Sequence, residues 1–308
     1  MQIVNQKTIL KPFEFSGIGL HSGVNSKVKI LPAKDNKGIV FKRIDLKGNN
    51  EIKACFKNVS SAKLCTTLKN ESGASVSTVE HLMAAFYITG IDNAVIEIDN
   101  PELPIMDGSS KDFVDLIIAN GTKELHAKRK FLKIIKKTEL QDQEKFISIE
   151  PSNLGLEVEF QLGYKNEVIG DQKNHVIFNG ENLEEIYSSR TFCLYEDIEK
   201  IKKIGLAKGG SLDNAVVVKN ETVLNEGGLR NDKEFVNHKI LDLAGDFMLS
   251  GYRILGSVKC IQGGHSMSNT FLKELFKDNS NFQEVIINNI NIVEKNFKTS
   301  ANKLAVNA

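Results

Sequence analysis

Short alternating or apolar runs with turn residues between them occupy much of the first half of the chain. Such spacing predicts strands at Val28–Leu31, Gly38–Phe41 and Ala94–Asp99. Between the last two, the pattern changes to a helix from about Val79 to Thr89. Ser77 stands as a plausible N-cap with Glu80 three residues on, the capping-box spacing, and Gly90 follows as a stop. A second helix is predicted over Ser110–Ala119, ended by Gly121. The charged stretch Thr122–Lys130 reads as an interdomain linker. Strands then resume at Phe131–Lys136, Lys145–Ile149 and Leu156–Leu162, and Leu183–Ser188 reads as a short helix. Residues 196–228 are rich in Lys, Gly and Asn with one apolar run at Ala215–Val218, and they read as an insertion with its own strands. A long helix is predicted over Glu234–Leu249 and another begins at Phe271–Lys277, while the small, polar residues from Lys298 onward read as a frayed tail. Strands followed by helices occur in each half, so the expected class is α+β, a layered fold used twice.

Composition narrows the function more than the fold. The 308 residues suffice for two domains, and 40 Lys+Arg against 39 Asp+Glu leave a net charge of +1. That balance argues against a general nucleic-acid binder, though a local basic patch can still hold a phosphorylated ligand. The four cysteines, Cys55, Cys65, Cys193 and Cys260, form no C-x-x-C pair, which fits a reducing cytoplasm and excludes a zinc knuckle of that type. Met1–Lys11 lacks the apolar core of a signal peptide, and no window approaches the ~20 apolar residues needed to span a bilayer. The expected location is cytoplasmic, with transient contact with a membrane surface still open.

Two stretches carry candidate chemistry. In the helix at 234–249, Val236, Ile240, Leu243, Ala244 and Phe247 form an apolar face, and His238, Asp242 and Asp246 stand at i, i+4 and i+8 on the other side. Far upstream, Glu80 adjoins His81. Two imidazoles and a carboxylate leave a zinc ion one open position, and a neighbouring carboxylate can take a proton from water there. Each stretch alone has a plainer explanation, a solvated helix face for the first and a helix cap for Glu80. Ser16–Gly23 imitates a dinucleotide loop but carries Ser22 where the third glycine belongs, so it reads as a glycine-rich turn bringing His21 toward a site. Gly263 and Gly264 place His265 on a flexible turn, where an exposed histidine suits a general acid.

Seven segments, Ser16–Gly23, Ser77–Phe86, Asp99–Ser110, Ser189–Phe192, Gly210–Val217, Asn237–Gly251 and Gly264–Asn269, together resemble the UDP-3-O-acyl-N-acetylglucosamine deacetylase (LpxC) family of lipid A biosynthesis, in order and over nearly the whole chain. The resemblance implies two similar α/β sandwich domains meeting at the active site. Residues 1–125 would supply Glu80 and His81; residues 126–297 would supply His238, Asp242 and His265; residues 298–308 would be the tail. An insert at about 193–223 would form an apolar passage for an acyl chain. It implies His81, His238 and Asp242 as ligands of one Zn2+ (Fe2+ being the alternative), Glu80 as the base that activates water, His265 as the acid that protonates the leaving amine, Asp246 as the carboxylate that orients His265, and Thr191 as a hydroxyl at the oxyanion. Lys239, Phe192, Leu64, Cys65 and Lys145 match positions that contact substrate. Cys193 and Leu194 depart from the glycine and aromatic expected after Phe192, and Cys193 reads as a small packing residue.

The implied reaction is hydrolysis of the N-acetyl group of UDP-3-O-(3-hydroxyacyl)-N-acetylglucosamine by a monomer with no nucleic-acid partner. Two alternatives stay open: a metal hydrolase of another amide or ester, and a non-catalytic module binding nucleotide sugars or lipids.

Overall fold

A computed structural model describes residues 4–179 and 183–287, and its elements fall into two main mixed sheets joined by two buried helices. The first sheet runs in the order 13–18, 25–32, 94–98, 39–43, 51–53, antiparallel except where Ile39–Arg43 lies parallel to Ala94–Ile98. The chain between those two parallel strands holds a small sheet and helix α1, Glu80–Thr89. Helix α2, Lys111–Asn120, packs beside α1. The second sheet is built around Arg253–Ile261. Its first residues pair in parallel with 131–133, and its remainder lies between the antiparallel strand Lys145–Pro151 and the parallel strand Leu156–Gly163.

Helix α3 is the single turn Glu184–Tyr187, and α4, Tyr195–Lys203, lies in the insertion with no buried residue. The expected insertion strands are present as a small sheet of 192–194, 216–219 and 222–223, but α4 was not expected. Helix α5, Glu234–Met248, leads into the central strand, and α6, His265–Leu275, follows it.

All ten residues of α1 are buried, as is every residue of α5 except Lys239. A helix apolar on one side only would leave its polar stripe wet. Here the stripe of His238, Asp242 and Asp246 turns inward against α1. The approach is close because the contact is made by small residues. A Cβ on Gly245 would lie 2.9 Å from the Glu80 carbonyl carbon and 3.1 Å from the Ala84 nitrogen. Only a residue without a side chain lets α5 rest on the α1 backbone there.

Three expectations need correcting. The charged stretch expected as a linker forms the strand Thr122–Lys128, paired with Asn5–Ile9. No capping box forms: the Ser77 hydroxyl donates to the Pro101 carbonyl, α1 begins without a side-chain cap, and Glu80 turns away into the interior. His265 is neither exposed nor on a loose turn; Gly264 caps α6 and His265 is its buried first residue. The tail from Lys298 lies outside the described residues. No helix among them is long and apolar enough to cross a membrane.

Candidate metal centre

α1 brings Glu80 and His81 to the crossing from one side, and α5 brings His238 and Asp242 from the other. His81, His238 and Asp242 offer ligand atoms that all lie within 4.8 Å of one another, in buried surroundings. Asp242 Oδ1 is 3.6 Å from His81 Nε2 and 3.4 Å from His238 Nε2. A tetrahedral ion with ligands at about 2.0–2.1 Å requires edges of about 3.3–3.4 Å, so the spacing fits. The unpaired atom agrees. Asp242 Oδ1, which both Nε2 atoms face, is buried with no hydrogen-bond partner among the described residues, a costly state for a group that has no further role.

The His238 ring is oriented by the backbone. Its Nδ1 lies 3.1 Å from the Ser189 carbonyl, which can only accept, so Nδ1 carries the proton and Nε2 presents a lone pair toward Asp242. Burial, against the pull of Asp242, drives the imidazole pKa down to about 3, so it is neutral as a ligand must be. Asp242 is held well below the usual carboxylate range: burial opposes its charge, but His238, Lys239 and His265 together outweigh burial. His81 is fixed through its carbonyl, which accepts from the Ser110 hydroxyl at 2.7 Å.

Around this triad stand the groups expected to move protons. Glu80 Oε1 faces His265 Nε2 at 3.7 Å, and His265 Nε2 is 3.8 Å from Asp242 Oδ2. His265 Nδ1 donates to Asp246 Oδ2 at 2.9 Å. Burial works against a charged imidazole at His265, yet Asp246, Glu80 and Asp242 overcome it and raise the pKa to about 10. Glu80 is pushed up, chiefly by burial. One carboxylate is thus made more basic beside one imidazolium that holds its proton, the pairing that acid–base catalysis needs. The space among Thr78, Glu80, His81, Thr191, Asp242 and His265 is about 30 Å³, room for one or two small species.

The substrate-facing residues divide. Thr191 lines the space, held by its N–H donating to Gly108 O and its carbonyl accepting from Val216 N, each at 2.7 Å. Leu64 also lines it, half exposed and with a left-handed backbone (φ 67°). Lys239 reaches both this space and a neighbouring cleft of about 630 Å³ shared with Lys145, Tyr164 and Gln262. Its ammonium is 2.8 Å from Asp242 Oδ2 and lies over the Phe192 ring, so it also serves the triad. Phe192 packs edge-on to Tyr164 and Phe235 with its centroid 6.3 Å from that of His238, and it lines neither the small space nor the cleft. Cys65 is buried beside Thr67 and absent from the lining, with burial pushing its thiol up to about 12.

Sequence reading missed three contributors. Thr66 is buried, and its N–H and hydroxyl reach Glu80 and Asp246. Glu102 is buried, accepts from the N–H groups of His21 and Ser22 and from the Thr78 hydroxyl, and so holds the glycine-rich turn in place. Buried Glu234 takes Arg190 through its backbone and side chain and takes the Arg230 N–H, anchoring the segment that presents Thr191 just before the strand 192–194. A carboxylate in a proline-bounded loop was a signal for Glu102; neither Thr66 nor Glu234 carried one.

Comparison with known proteins covers the same stretch of chain. Residues 6–277 match the family described as UDP-3-O-acyl N-acetylglycosamine deacetylase. A protein of Francisella tularensis subsp. tularensis (strain WY96-3418) named UDP-3-O-acyl-N-acetylglucosamine deacetylase is 43% identical over 281 residues, 90% of this chain and 98% of its own. One of the same name from Legionella pneumophila (strain Corby) is 40% identical over 276 residues, 89% of this chain and 90% of its own.

Proposed function

The chain belongs to the UDP-3-O-acyl-N-acetylglucosamine deacetylase family, and from that premise we propose how its residues divide the reaction. The enzyme hydrolyses the N-acetyl group of UDP-3-O-acyl-N-acetylglucosamine to the free amine and acetate, a step of lipid A biosynthesis. The observation that carries the assignment of roles is the convergence of the buried His81–His238–Asp242 triad with Glu80 Oε1 and His265 Nε2, 3.7 Å apart at its edge.

His81, His238 and Asp242 would hold one Zn2+, their mixed imidazole and carboxylate set suiting that ion, with Fe2+ the competitor. When bound, the ion supplies Lewis acidity, polarising the acetyl carbonyl and easing deprotonation of water. Glu80 takes the proton from the attacking water as its oxygen bonds to the acetyl carbon. Thr191 donates to the oxygen that becomes negative, where a fixed donor stabilises the tetrahedral centre. His265, kept protonated by Asp246, gives a proton to the sugar nitrogen as the C–N bond breaks, so the amine leaves neutral. Lys239 and Lys145 face the cleft that would take the diphosphate, and the insertion at 193–223 offers Leu194, Tyr195, Ile198 and Ile201 toward the 3-hydroxyacyl chain. In this reading residues 1–125 and 126–297 are the two domains, and the cytoplasmic monomer meets an amphiphilic substrate.

Metal content and turnover measured together test the reading. Purified protein should carry about one ion per chain, lose deacetylation on chelation and regain it with one equivalent of Zn2+. E80Q should keep its metal and lose most of kcat. Full turnover in metal-loaded E80Q would remove Glu80 as the base.

A further inference from the structure

We infer that Thr66 is a positioning residue for this reaction, setting the geometry of the base and of the acid's carboxylate from one loop position. The inference rests on the roles proposed above for Glu80 and His265. The Thr66 hydroxyl donates to Asp246 Oδ1 at 2.7 Å, and its backbone N–H lies 3.0 Å from Glu80 Oε2. Each carboxylate therefore has one oxygen tied by Thr66 and one left for the chemistry: Asp246 Oδ2 holds His265 Nδ1, and Glu80 Oε1 faces His265 Nε2.

The tie matters because a carboxylate's terminal torsion is broad and does not fix its own plane. Asp246 is 3% exposed, with little water to replace a lost donor. Without the hydroxyl, Oδ1 would be a buried acceptor seeking a partner, and turning toward His265 would swing the imidazole. His265 Nε2 now points into the gap between Glu80 Oε1 and Asp242 Oδ2, where a leaving nitrogen must sit. Thr66 itself is well anchored. It is 1% exposed, follows the left-handed Leu64, and its carbonyl accepts from Val79 N just before α1. It lies 180 positions from Asp246, so the bond also joins the loop before α1 to α5.

T66V removes the hydroxyl while keeping the shape and the backbone donor to Glu80. Metal-loaded T66V should lose about 10–100-fold in kcat, the range seen when outer partners of a metal site are removed, with KM within about twofold of wild type. T66S should recover kcat to within about threefold. In an H265A background the T66V loss should shrink to about twofold, because the hydroxyl acts through that histidine. If T66V does not fold, T66A takes its place with the same expectations. Wild-type kcat in T66V, a T66S no better than T66V, or a full multiplicative loss in the double variant would overturn the inference. If E80Q and H265A themselves turn over normally, the reading of the site fails first and this inference falls with it.

Discussion

Replacing Gly245 by alanine should separate the two helices that carry the metal ligands, and the sign of its effect on stability discriminates between two opposing terms. Glycine inside a helix is destabilising by roughly 0.5–1 kcal/mol relative to alanine, so propensity alone makes G245A stabilising. Packing says the reverse. The added Cβ would meet the Glu80 carbonyl, 2.9 Å from its carbon, and the Ala84 nitrogen at 3.1 Å. Carbon atoms in contact prefer about 3.5–4.0 Å, so α5 must retreat from α1 by at least about 0.6 Å, and nearer 1 Å once the carbonyl oxygen is cleared. The obstacle is helical backbone on both sides, with no side chain to swing away. Overpacking of this kind destabilises by about 1–3 kcal/mol, which outweighs the propensity gain.

The same retreat acts on the site. Glu80 and His81 ride on α1, while Asp242, one turn before Gly245, rides on α5. The ligand-atom separations of 3.4 and 3.6 Å already match the edge of a tetrahedral site, and widening one of them by about 1 Å leaves no common centre at bonding distance. G245A should therefore lose metal affinity, read by competition with a chromogenic chelator, and a misplacement of that size is expected to lower kcat about 10²-fold in saturating metal. Denaturant unfolding without metal should show a lower midpoint. A variant at least as stable as wild type, with unchanged chelator competition, would refute the claim that this backbone contact sets the spacing of the site.

Further outcomes follow from the charges around the triad. Turnover should rise with pH as Glu80 ionises above its usual range and fall as His265 loses its proton toward about 10, and D246N should move the alkaline limb down because a carboxylate that holds the imidazolium is gone. A cation at the triad lowers both limbs without reversing their order; a pH–kcat/KM profile checks both signs. E234Q should lower stability by about 3–5 kcal/mol in denaturant titration and reduce kcat, because it leaves the Arg190 charge buried beside Thr191; a loss under about 1 kcal/mol would make the pair incidental. Burial pushes the thiols of Cys65, Cys193 and Cys260 up to about 12, 11 and 12, so alkylation of the native protein at pH 7.5 should spare all three until it is unfolded. Rapid labelling of Cys193 would contradict its role as a packing residue.

What the chain disclosed in advance follows from which physical rules act locally. A helix has a fixed period, so His238, Asp242 and Asp246 fell on one stripe without any knowledge of the fold, and Glu80 beside His81 joined base and ligand by adjacency. Whether that stripe was wet or buried depended on what packed over it, and that is set by Gly245 meeting the α1 backbone, a contact no spacing encodes. His265 was misjudged for the same reason: a glycine pair reads as a loose turn, whereas here Gly264 caps a helix whose first residue is pinned by Asp246. In the central strand Arg253–Ile261 the first four residues are all buried and show no alternation, whereas Gly256–Ile261 does alternate, a signal that sequence reading missed. α4 does carry a helical period, with Tyr195, Ile198 and Ile201 on one face, yet the fold buries none of it. Thr66 is the limiting case. A threonine after a cysteine in a loop has no pattern at all, and its two bonds, one to Glu80 and one 180 positions away, exist only once both halves are folded around it. Sequence pattern thus reaches the groups that do chemistry when they share an element, and stops at those that hold them in place across elements.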